Sequence, residues 1–167
     1  MNFNWIRLTE CFFYSGLAGL GFGILFNIPR RVAITVFGVA ATAGLIKFGA
    51  MAFGVHIILA SFYGALLAGV LAIPLSGSQH TSPYIVSIPS VIPMIPGYFG
   101  YKTLLGVMAM AMNPQTEPQM EILPKLINSG LNMLFILASL TAGVSLPWLI
   151  LRHRVRFLRG EKSTELV

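Results

Sequence analysis

Five long apolar stretches, separated by short polar or proline-marked breaks, make up most of this chain. The first runs over about 11–28 and ends at FNIPRR, where Asn27 and Pro29 interrupt the pattern ahead of Arg30 and Arg31. The second, 32–46, is short and stops at Lys47. The third covers about 57–75 and is followed by the polar turn SGSQHTSP. The fourth extends from about 84 to 112 and is broken over 89–97 by Pro89, Pro93, Pro96 and Gly97. The fifth occupies 122–151, after the loop NPQTEPQME, and residues 152–167 form a basic tail. A membrane crossing needs roughly 20 apolar residues. The uncharged run 48–101 therefore holds two crossings, and 126–151 holds one.

Composition agrees with that pattern. Only 10% of the 167 residues are charged and 56% are hydrophobic, against about 25% charged in a soluble domain. The polar surface is too small to meet water all round. The expected fold is an all-α integral membrane protein: one transmembrane domain, 1–167, built as a bundle of four or five helices with a proline-broken fourth segment. Arg7 ahead of an apolar run resembles a signal peptide, but no Ala-x-Ala-like site follows, so the segment is expected to stay as a first span.

Charge placement orients the bundle. If all five segments cross, Arg30, Arg31 and the tail share one side, while Arg7, Lys47 and Lys125 lie on the other with Lys102 near the membrane. Cytoplasmic loops carry the excess of Lys and Arg, which puts the C-terminus in the cytoplasm and the N-terminus outside. If the fifteen-residue second segment only dips into the bilayer, four crossings remain and both ends are cytoplasmic. The net charge of +6 does not point to nucleic acid, because five of the eleven cations lie in the tail and most others flank apolar segments.

Enzyme chemistry finds no support. His56, His80 and His153 stand apart, with no HExxH, GxSxG or phosphate loop. The lone Cys11 allows neither an internal disulfide nor a CxxC metal site. No metal or cofactor is expected.

The broken fourth segment is the candidate for function. A helix-interior proline removes a backbone hydrogen bond and clashes with the preceding turn. Unpaired backbone at membrane depth persists only where protein or a water-filled cavity satisfies it. Transporters use such discontinuous helices as binding sites, so Pro89, Pro93, Pro96 and Gly97 mark either a substrate path or a plain kink. Lys102, one turn past Gly97, is either an intramembrane charge of the kind that marks function or a side chain snorkelling to the interface. Tyr98 and Tyr101 belong to the same site or to an aromatic belt. Asn128 and Asn132 share a helix face and line the path or bond between helices. Asn27 with Pro29, and Pro147, are further helix breaks and candidate hinges. Ser15, Gly19 and Gly23, Ala40 with Gly44, and Ala65 with Gly69 are spaced by four, as in ridges that let helix backbones approach closely in lipid.

FNIP at 26–29, VIPMIPG at 91–97 with Tyr101 after it, and SLPWLILRHR at 145–154 fall in one characteristic order. With them the chain resembles the small subunit of the threonine/serine exporter-like family, which includes the bacterial two-component succinate exporter. The resemblance covers nearly all of the chain. It implies a bacterial inner-membrane secondary exporter of small carboxylates or hydroxy-amino acids, and a larger membrane subunit as partner. Two other readings of the residues are a non-transporting scaffold that stabilises its partner and a homo-oligomeric channel.

Overall fold

The computed structural model describes residues 5–112 and 119–161, and the side chains of 7–112 and 122–150. The loop at 113–118 and the side chains of the basic tail lie outside the described residues. Among those described, every element is helical: α1 (Trp5–Leu25), α2 (Arg30–Ala52), α3 (Ile57–Ser78), α4 (Pro83–Val91), a 3₁₀ turn (Ile92–Met94), α5 (Gly97–Met112) and α6 (Gln119–Glu161). Four of them are long and apolar enough to cross a membrane, over Arg7–Leu25, Arg30–Ala52, Ile57–Ser78 and Ile122–Ile150. The broken pair α4–α5 is shorter in each part, with 9 and 16 residues.

The second segment is longer than the charge pattern suggests. Lys47 does not end it: α2 runs 23 residues, about 34 Å at 1.5 Å per residue. Lys47 points into the bundle, 5% exposed, and the helix continues past it because the ammonium finds a partner inside. The sixth helix likewise continues past Leu151 to Glu161 without interruption at Pro147.

Three helix ends are built alike, and each explains a polar punctuation of the sequence. At the end of α1, Ile28 N–H donates to Gly23 O at 3.1 Å and Asn27 N–H to Ile24 O at 2.9 Å, with Asn27 at φ +54°. This is the Schellman pattern, in which the N–H of a left-handed residue and that of the next residue return to the last carbonyls. Gly54 plays the part after α2 (φ +84°) and His80 after α3 (φ +51°), with Val55 bonding Ala50 O and Thr81 bonding Ser76 O. Asn27 and Pro29 therefore form a cap, with Pro29 the N-cap of α2, and Pro83 opens α4 at the position where a missing N–H costs nothing.

Small residues set the packing. Ser15 of α1 lies against Gly44 of α2 and Gly19 against Ala40, so the two four-spaced ridges face each other in antiparallel register. Gly64 of α3 meets Ala43 O, where a Cβ would stand 2.9 Å away. Gly143 of α6 sits on Ala65 and Phe62 O, and Gly69 on Val144 O. Lipid supplies no hydrophobic drive between helices, so close van der Waals contact of this kind holds them. The short α4 lies at the centre, packed on α1, α2 and α3, with Val86, Ser87, Pro89 and Ser90 buried. Ser90 Oγ donates to Val86 O at 2.7 Å and lies 3.3 Å from Val36 O.

Candidate functional site

The helix break falls later than the first proline. Pro89 lies inside α4, buried, and α4 runs on to Val91. Pro93 sits in the 3₁₀ turn, Ile95 turns extended (ψ 131°), and Gly97 begins α5 after Pro96. Each proline frees a carbonyl one turn upstream. The Pro89 carbonyl, deprived of its α-helical donor by Pro93, points at Gly19, where a Cβ would come within 3.5 Å. Ile92 O is taken by Ile95 N–H at 3.0 Å. Met94 O would serve Tyr98 N–H in an unbroken helix; here it accepts from Lys47 Nζ at 2.7 Å in a buried bond.

The start of α5 offers fewer donors than a half-helix N-terminus suggests. Gly97 N–H bonds Ile95 O at 2.9 Å and Phe99 N–H bonds Pro96 O at 3.1 Å. The break is closed by local turns and by Lys47, which leaves two further cationic side chains, Lys102 and Lys125, outside it.

Those side chains gather elsewhere. Between α5 and the first half of α6 lies an open cleft of about 420 Å³, lined by Lys102, Lys125, Asn128, Ser129 and Asn132 among apolar residues. The structure thus brings Lys102, Asn128 and Asn132 together and sets them apart from Pro89 and Pro93. Asn132 Nδ2 donates to Asn128 Oδ1 at 3.0 Å, within one helix. Lys102 Nζ stands 4.6 Å from the Tyr98 ring centroid, a cation–π distance. Tyr98 and Tyr101 are both exposed. Pro147 is buried inside α6 and its Cγ is 3.1 Å from where a Gly69 Cβ would stand, so it packs on α3.

The family description Threonine/Serine exporter, ThrE matches residues 11–150, most of the chain. The chain belongs to the threonine/serine exporter family. It is similar to an uncharacterized protein of Haemophilus influenzae, 24% identical over 145 residues, which cover 87% of this chain and 48% of that one. The chain therefore spans about half the length of that curated relative. No solved structure matches it. Membership identifies a multi-pass protein of an exporter family, a transporter class and not an enzyme class.

Within this exporter-family fold, two lysines that sequence reasoning did not assign to a site become prominent. Lys47 looks like a helix stop by charge alone. Its register tells otherwise: Val36, Ala40, Ala43 and Lys47 recur at four, three and four, the face that α2 buries. Lys125 looks like a loop-flanking cation, and only the antiparallel pairing of α5 with α6 sets it in the same cleft as Lys102.

Proposed function

We propose that the chain is the membrane subunit of a secondary exporter of small carboxylates or amino acids, such as a succinate-like dicarboxylate or threonine and serine, acting with a larger membrane subunit. The cleft between α5 and α6 carries this reading. Its two ammonium groups suit a carboxylate, and the free amide atoms, Asn132 Oδ1 and Asn128 Nδ2, suit an amino or hydroxyl group and a second carboxylate oxygen. About 420 Å³ lies within the range of small-molecule sites, about 300–1,000 Å³. The break at Ile95–Pro96 acts as the hinge between α4, fixed in the bundle, and α5, which bears Lys102. The positive-inside pattern of Arg30, Arg31 and the tail favours a cytoplasmic C-terminus in a bacterial inner membrane. Five alternating helix directions favour the opposite side for the N-terminus.

Flux of radiolabelled succinate, threonine and serine from loaded cells tests the reading. Export by the wild type, slowed in Lys102→Ala at low solute concentration and equal membrane abundance, supports it. Unchanged flux in both Lys102→Ala and Lys125→Ala removes the cleft from the path.

A further inference from the structure

The hairpin formed by α5 and the start of α6 reaches beyond the other helices. Gly143 lies against Ala65, and Gly69 against Val144 and Pro147, so α6 runs parallel to α3. Ten residues back along α6 from Gly143, Met133 is level with the first residues of α3, near Ile57. Gly100 packs on Met133, Thr103 on Gly130 and Gly106 on Leu126, so α5 is antiparallel to this part of α6. Residues 101–112 then extend about 18 Å past the turn that joins α2 to α3. Consistently, α5 buries none of its residues and packs substantially against α6 alone.

The surface of this projection suits neither medium. Its outer face is apolar, with Leu104 70% and Met112 69% exposed beside Met108, Ile127 and Leu131. Its inner face holds the lysine–asparagine cleft. Water would wet the apolar side, and hydrocarbon would meet the charged side at high cost. The hairpin does not fold flat onto the bilayer, because α6 is one continuous helix from Gln119 to Glu161 and carries its first half in line with the part packed on α3.

We infer that this hairpin is a docking element, and that its outer face, along Leu104, Met108 and Met112, is covered by a helical membrane domain equivalent to the unmatched half of the longer Haemophilus influenzae relative. That relative is about twice the length of the match, so this fold exists beside a further stretch of comparable size. The inference rests on the two-part exporter reading and adds the surface at which the parts meet.

A photo-crosslinking amino acid placed at Leu104, Met108 or Met112, in the full chain in membranes of its host, tests this. Ile34, an exposed position in the second turn of α2 (84%), serves as the lipid-facing control. The expected result is a protein adduct from the three hairpin positions, absent from Ile34, whose peptides align with the unmatched half of that relative. Adducts to lipid only, or to a second copy of this chain, overturn the inference. In parallel, Leu104→Glu with Met108→Glu should lower recovery of the adduct partner at least about tenfold, whereas Lys102→Ala should leave the adduct intact. A correct adduct in cells that export none of the tested solutes refutes the transport reading and leaves the docking surface standing.

Discussion

Lys47 and Met94, 47 positions apart in the chain, are joined by a 2.7 Å bond from the ammonium to the main-chain carbonyl. The bond ties α2 to the stretch where α4 gives way to α5. It converts an orphaned carbonyl at membrane depth, which would cost several kcal/mol in hydrocarbon, into a satisfied one. The lysine and the break thus require each other.

Removing the lysine should loosen the break. Lys47→Met keeps the length of the side chain and leaves Met94 O without its donor, a penalty of about 1–3 kcal/mol. Amide exchange over residues 92–100, followed by mass spectrometry in nanodiscs, should speed up by about 5- to 150-fold, the equivalent of that penalty, while α1 stays protected. Unaltered exchange would show that the carbonyl has another donor.

Straightening the break should slow transport without unfolding the protein. Pro93→Ala supplies an N–H that can serve the Pro89 carbonyl, and so extends α4 by at least one bond of about 0.5–1.5 kcal/mol. The expected outcome is a melting temperature equal to or above that of the wild type, together with reduced flux. Unchanged flux would separate the hinge from the transport cycle.

The lysine of the cleft is exposed, so its contribution should be modest and sensitive to salt. An exposed charge contact is worth up to about 1 kcal/mol. Lys102→Ala should therefore raise the apparent substrate constant by about fivefold, Lys102→Arg should restore much of it, and added salt should narrow the difference. Flux measured at several substrate concentrations reads all three.

Packing at the centre should be intolerant where backbones touch. A side chain at Gly64 meets Ala43 O at 2.9 Å and the Met94 side chain at 3.2 Å, so Gly64→Val should destabilise by at least about 1–3 kcal/mol. Gly38, on α2 with nothing within 4 Å of a Cβ, is the control: Gly38→Ala should be neutral or stabilising by up to about 1 kcal/mol. Thermal unfolding in detergent compares them.

The membrane class, the long apolar helices and the four-spaced ridges are all legible in the sequence, because lipid imposes helices and close approach imposes small residues. Ser15, Gly19, Ala40 and Gly44 face one another as their spacing implies. The break is legible as to region but not residue. Pro89 is carried inside α4, because a proline there removes only its own donor while the bundle holds α4 on three sides. Lys47 and Lys125 are not legible by charge, since their roles depend on which helix lies opposite. Asn27 and His80, both left-handed, show why polar residues interrupt the hydrophobic pattern where they do: they turn the chain.

The partner of Lys47 is a carbonyl and not a carboxylate, and the sequence contains no acidic side chain between Glu10 and Glu117. A lysine held in this way needs no counter-acid, and the sequence from Cys11 to Thr116 contains no carboxylate side chain. Acids that could serve a proton-driven cycle lie at Glu10, Glu117 and Glu121, outside that stretch, and a carboxylate solute brings its own.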